Sequence, residues 1–258
     1  MSSRYGYRAL LACDIAGSAG RGDTRLQEIR KALRSAQCDS FDIADLDEKA
    51  FLRIDTGDGF QFVAPAGLPK ARLLYPLLPE FAARIRAHNQ QAQPDAQLRV
   101  RMALHAGEIS FDSQDKDSVS GSPFEALARL LDCDPLRQAV RNGTSGTPVA
   151  AVLSQHYYEE TVVHGYEGLQ ADAFTAADVR VKEYSAQAWL WYPGSPVGPR
   201  IAPADPKPTS APRPQDPEPR GKGSGSVAGA QHVRVSGHGT AFAVQHGTQH
   251  IYQHGDRG

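Results

Sequence analysis

Two aspartates carry the most chemistry in the sequence. Asp14 closes a short apolar run in Cys-Asp-Ile-Ala-Gly-Ser, and Asp58 sits in Asp55-Thr56-Gly57-Asp58-Gly59 between two apolar pieces. A carboxylate at a strand end and another on a neighbouring hairpin can converge on one cation. Hard oxygen ligands of this kind suit Mg2+ or Mn2+, above all when phosphate oxygens complete the shell. Two such ions between two aspartates would activate an attacking hydroxyl and neutralise a triphosphate. Gly17-Ser18-Ala19-Gly20 follows directly, and the backbone N–H groups of Gly17 and Ser18 could meet those phosphates ahead of a helix. Each signal alone has a plainer reading. Asp-Gly is a favoured hairpin turn, and the glycine loop matches neither a P-loop nor a dinucleotide fingerprint.

The elements that must position these groups follow from hydrophobic spacing. Arg8 to Ile15 reads as a buried strand, and Asp23 or Thr24 can cap a helix from Arg25 to about Ala36. Phe51 to Ile54 and Phe60 to Val63 form a hairpin around Asp58. A helix from Lys70 to Gln91 follows, kinked or split by Pro76 and Pro79. Leu98 to Ile109 is a strand whose Gly107 marks a close approach. Asp112 to Asp117 is a charged loop, and helices run from Ser122 or Pro123 to Leu131 and from Pro135 to Arg141. Val149–Val152, Val179–Val181 and Trp189–Tyr192 read as strands, with Gln155 to Val163 helical. The alternation points to an antiparallel or mixed sheet covered by helices.

Composition sets the outer limits. The chain has 258 residues and a formal charge of −1, which excludes a strongly basic nucleic-acid binder. No apolar run approaches the length of a membrane span. Cys13, Cys38 and Cys133 lie far apart without metal-ligand spacing, which suits reduced thiols and the cytoplasm. Leu10-Leu11-Ala12-Cys13 imitates a lipoprotein cleavage site, but the apolar stretch before it is too short for a signal peptide. His105 reads as a half-buried, satisfied histidine, and the stripe from Leu73 to Ile85 as core packing.

Four motifs then occur in a telling order: Asp14-Ile15-Ala16-Gly17-Ser18, Thr56-Gly57-Asp58-Gly59, Arg101-Met102-Ala103-Leu104-His105-Ala106-Gly107-Glu108-Ile109, and Gly121 with Phe124-Glu125-Ala126-Leu127-Ala128-Arg129-Leu130. The set resembles the catalytic domain of class III nucleotidyl cyclases, over roughly residues 8 to 192, with Val181-Lys182-Glu183 resembling that family's closing strand. The resemblance implies an α+β, ferredoxin-like core and a head-to-tail homodimer with active sites across the interface. It implies a nucleoside triphosphate substrate, two Mg2+ or Mn2+ ions per site held by Asp14, Asp58 and the Ile15 carbonyl, and Arg129 stabilising the triphosphate charge. The activity implied is cyclisation of that triphosphate in intracellular signalling, of a defence type in one reading.

Three positions depart from the family pattern. Glu125 stands where the ribose-positioning asparagine is expected, and an ionised carboxylate cannot donate a hydrogen bond. Ile54 replaces the base-reading lysine, with Arg53 one residue off and so facing the other way in a strand. Ser118 replaces the acidic base-reading partner. The pattern fits an altered base preference, or else a catalytically weak or inactive nucleotide-binding scaffold.

The C-terminal part differs in kind. Ten of 18 prolines lie between Pro193 and Pro219, and no leucine follows Leu190. Residues 193–226 read as a disordered Pro/Gly-rich linker after a domain spanning 1–192. Residues 227–258 hold five of the nine histidines and four Gln-His pairs, in β-prone pieces of low charge. Val244, Gln245 and Gly247, in Val-Gln-His-Gly, resemble the amyloid-type, RIP-homotypic-interaction-like motifs of signalling proteins. That resemblance implies assembly with a partner carrying a similar tail. A disordered tether is the alternative.

Overall fold

The computed structural model describes residues 4–112 and 118–201. The proposed assembly residues Val244, Gln245 and Gly247, and Asp117 beside Ser118, lie outside the described residues.

Strand β1 (Arg4–Ile15) lies inside the sheet, and its apolar run is explained by burial on both faces. Leu11, Cys13 and Ile15 point into one core and Leu10 and Ala12 into another. Helix α1 (Asp23–Ile43) packs Ile29, Leu33 and Phe41 over the first core, then the chain returns as hairpin β2 (Leu52–Asp55) and β3 (Gly59–Val63). Helices α2 (Ala71–Leu74) and α3 (Leu77–Gln91) cover the same face, and β4 (Val100–Phe111) pairs antiparallel with β1. The expected long helix is thus two, broken at Tyr75-Pro76, because proline removes the backbone donor and crowds the preceding turn. Pro79 is accommodated in the first turn of α3, where no intrahelical donor is lost.

These four strands stand in the order β2-β3-β1-β4, with α1 and α3 on one face, which is the ferredoxin-like arrangement. The sheet is extended beyond it. The two-residue strand β5 (Val119–Ser120) pairs with β4, and α4 (Ser122–Leu131) and α5 (Asp134–Asn142) cross the opposite face. Strand β6 (Val149–Ser154) then enters parallel to β4, which makes the sheet mixed. After α6 (Gln155–Glu159), β7 (Phe174–Val181) and β8 (Tyr184–Trp191) complete eight strands in an α+β fold.

Several expected boundaries move. Helix α1 has Gly22, not Asp23 or Thr24, at its cap position and runs past Ala36 to Ile43. Val181-Lys182-Glu183 is no strand of its own: Val181 ends β7, and Lys182, at φ 54°, turns the chain into β8. The helix expected through Val163 ends at Glu159, with a separate 3-10 turn at Val162–His164. Beyond Tyr192 the chain stays against the domain: Ile201 packs on the second core and the Arg200 carbonyl accepts from Asn142.

Gly107 meets the expected close approach, since a Cβ there would stand 2.6 Å from Pro123 of α4. His105 is partly buried and bonded through Nδ1 to Ser154 Oγ at 2.9 Å. No helix among the described residues is long and apolar enough to cross a membrane.

Candidate active site

The site is built where β1 ends against the β2–β3 turn. Asp14 pairs in register with Gly59 of β3 on one side and Arg101 of β4 on the other. The Ile15 N–H donates to the Asp58 carbonyl at 3.2 Å, which ties the end of β1 to the turn. Asp14 and Asp58 thereby come together, close enough that each carboxyl shifts the proton affinity of the other. They line a cleft of about 220 Å³ with Thr56, Gln61 and Arg101, closed on the α4 side by Ala128 and Asp132.

The loop after β1 folds onto this pair. Gly17 takes φ 67°, the left-handed region that glycine enters without a Cβ penalty. Ser18 Oγ donates to Asp58, and Arg21 holds the loop closed by donating from Nε to the Gly17 carbonyl at 2.8 Å. Ser18 thus stands against Asp58, with Gly17 next to it in the loop. A terminal nitrogen of Arg30, two turns into α1, lies 3.9 Å from where a Gly57 Cβ would be.

Arg101 is the feature that sequence reasoning left without a role. Its guanidinium pairs with Asp14 and reaches Asp132 at 3.5 Å, while Asp132 also pairs with Arg137 at 2.8 Å. The two carboxyls have unlike proton affinities. Burial pushes Asp14 above its usual range, opposed by Arg101 and reinforced by the Asp58 charge. Burial also pushes Asp58 upward, but hydrogen bonds from Ser18, the backbone and Asp14, with Arg30 nearby, hold it below.

Among the described residues no three His, Cys, Asp or Glu side chains gather around one point. A divalent ion at Asp14 and Asp58 would therefore draw further ligands from the backbone, Ile15 included, and from phosphate oxygens. Two partly buried carboxylates in one cleft, with Arg101 paired to only one of them, are a hard-oxygen donor set that fits Mg2+ or Mn2+.

The remaining sequence candidates stand elsewhere. Glu125 and Arg129 lie one turn apart on α4, Glu125 exposed and Arg129 partly so, and neither lines this cleft within one chain. Arg53 is engaged by an ion pair with Asp55, and its guanidinium lies 5.6 Å from the Phe60 ring centre. Ile54 pairs with Gln61 in the hairpin. Ser118 is exposed, its carbonyl accepting from Asp112 at 3.0 Å. Arg53, Ile54 and Ser118 all lie outside the lining of the Asp14–Asp58 cleft.

No family model matches the chain, and no curated protein sequence does. Solved structures do match it in fold. The guanylyl cyclase Cya2 superimposes with a TM-score of 0.51 at 15% identity, over 74% of this chain and 93% of that one. An adenylate/guanylate cyclase/hydrolase from Silicibacter pomeroyi gives 0.53 at 17% identity, over 74% and 99%. A bacterial light-regulated adenylyl cyclase gives 0.53 at 9% identity, over 73% of this chain and 53% of the other. The likeness is one of fold: the described domain has the architecture of adenylyl and guanylyl cyclase domains.

Proposed function

We propose that this chain is a nucleotidyl cyclase, converting a nucleoside triphosphate into a cyclic mononucleotide and pyrophosphate. The observation that carries the proposal is the convergence of Asp14, at the end of β1, and Asp58, in the β2–β3 turn, in the lining of one cleft in a cyclase-type fold. In the reaction the 3′-hydroxyl oxygen bonds to the α-phosphorus as the bond to the α–β bridging oxygen breaks, pyrophosphate leaves, and the hydroxyl proton passes to solvent water. Two Mg2+ or Mn2+ ions would acidify that hydroxyl and neutralise phosphate charge. Asp14, Asp58 and the Ile15 carbonyl would hold them.

The chain's own residues orient the rest. Backbone N–H groups at Gly17 and Ser18 face the phosphates, and Arg101 can turn from Asp14 to a phosphate oxygen once cations take over that carboxylate. Because Arg129 stands outside its own chain's cleft, it acts from a second copy in a homodimer, where its planar donors meet charge building on the pyrophosphate. The free thiols of Cys13, Cys38 and Cys133 suit a cytoplasmic setting.

Exposed Glu125 on α4 supports a second reading, a scaffold that binds nucleotide with little or no turnover. One assay separates the two. Purified protein is incubated with each of the four triphosphates and Mn2+, and products are read by mass spectrometry. A cyclic mononucleotide and pyrophosphate in equal amounts are expected; no cyclic product from any triphosphate would leave the scaffold.

A further inference from the structure

A second cleft, of about 340 Å³, opens between the C-terminal half of α3, the approach to β4 and the loop that leads into β6. Its volume falls within the range of small-molecule sites. Arg86 and Arg99 line it together with Gln90, Thr144 and Ser145, and none of its nine lining residues is acidic. Among the described residues neither arginine forms an ion pair.

Both guanidiniums are nevertheless held in place. Arg86 donates from Nε to the Gly146 carbonyl at 2.9 Å. Arg99 donates from one terminal nitrogen to the carbonyls of Val140 and Gly143, each at 2.8 Å. These carbonyls fix the side chains while spending only part of their donors. Among the described residues, both terminal nitrogens of Arg86, and Nε and the second terminal nitrogen of Arg99, make no other hydrogen bond. Gln90 and Ser145 make no side-chain hydrogen bond of their own among the described residues, so they add neutral donors.

We infer that this cleft binds a phosphorylated small molecule, as a site separate from the Asp14–Asp58 cleft. Two uncompensated guanidiniums with hydroxyl and amide donors between them match the oxygens of a phosphate group, and their tethering lowers the ordering cost of binding. The cleft is large enough for more than the phosphate, which favours an ester over the free ion. Its floor is also tied to the loop after β1. The Arg99 carbonyl accepts from Ala16 N–H at 2.8 Å, and Arg21, already on the Gly17 carbonyl, donates to the Gln97 carbonyl at 2.8 Å. An occupant that draws on Arg99 therefore bears on the segment carrying Gly17 and Ser18.

The test is a binding measurement that needs no cyclase activity. Full-length Asp14→Asn/Asp58→Asn protein in EDTA, which disables the first cleft for cation-bound nucleotide, is titrated calorimetrically with AMP, inorganic phosphate and adenosine. Saturable one-to-one binding of AMP and none of adenosine is expected. Adding Ser145→Glu should weaken AMP at least tenfold, and Arg86→Ala should do the same. Ser145→Glu puts a carboxylate into the cleft at an exposed side chain without structural ties, so it tests charge while the fold is kept. Phosphate binding as tightly as AMP would overturn the assignment of an ester and show a site for the free ion instead. Absence of saturable binding by both would overturn the inference, and so would binding that survives Ser145→Glu and Arg86→Ala.

Discussion

Gly59 lies directly across the β1–β3 ladder from Asp14, so near that a Cβ on Gly59 would fall 1.9 Å from the Cys13 carbonyl oxygen. This close approach seats Asp58, the preceding residue, against Asp14. Gly59→Ala must push the two strands apart. It should cost about 1–3 kcal/mol of stability, as overpacking does, and weaken Mn2+ binding more than a substitution of equal cost in the α3 core. Urea melts and a Mn2+ titration check it; an alanine variant with unchanged melts and affinity would show that the ladder has slack.

Removing the carboxylates should separate function from stability. Asp58→Ala should bring cyclic product below detection with a melt close to that of the parent, because Asp58 sits in a turn and lends the core no packing. Asp14→Ala should abolish activity too, but at a larger cost, about 1–3 kcal/mol, since it strips Arg101 of its nearer partner. Equal melts for the two variants would mean that Asp132 suffices for Arg101.

The contrast between Asp58 and Arg101 shows what the sequence could reveal. Asp14 and Asp58 were legible because a carboxylate after an apolar run and another in an Asp-Gly turn are local patterns. The α4 boundary was legible too, from Pro123 and the spacing of Leu127 and Leu130. Arg101 was not, because its meaning depends on register: only the twelve-pair ladder of β1 with β4 sets it opposite Asp14. The same holds for Gly59, which reads as a turn glycine until β3 is laid against Cys13. The β7–β8 hairpin was misjudged at Val181-Lys182-Glu183, where β-prone and charged residues hid a turn that needs positive φ at Lys182. Long-range pairing carries that information, and hydrophobic periodicity does not.

His105 should make the domain acid-sensitive. In the unfolded chain it takes a proton near its ordinary 6.5; in the folded one, burial first and His156 nearby second hold it lower. Below pH 6.5 the unfolded state therefore binds more protons, and stability falls with pH by up to about 1.4 kcal/mol per unit until the folded value is reached. Above pH 6.5 this contribution is constant. Urea melts from pH 7.5 to 5 should show a flatter profile for His105→Gln than for the parent. Parallel profiles would assign the acid response to other groups.

Glu125 offers a gain-of-function test. Exposed on α4 and one turn before Arg129, it would bring negative charge toward a bound triphosphate in the proposed dimer. Glu125→Asn replaces that charge with a hydrogen-bond donor and should raise the rate of cyclic product formation several-fold, with little change in the melt. An unchanged or lower rate would show that the glutamate has a role of its own.

The last prediction concerns where Arg129 works. Within one chain it does not line the Asp14–Asp58 cleft, although its helix neighbours Ala128 and Asp132 do. Adjacent helical positions diverge by about 100°, so a helix that presents Ala128 to its own cleft presents Arg129 on a different side, which fits the proposed action in a second chain's cleft. Asp14→Ala and Arg129→Ala proteins should each be inactive alone. Mixed as heterodimers, one of the two clefts keeps Asp14, Asp58 and an intact Arg129 from the other chain, so activity should return toward one half of the parent's value per dimer. Differently tagged chains purified as a pair make the measurement stringent. A proven heterodimer without activity would place Arg129 in its own chain's chemistry, or outside the reaction altogether.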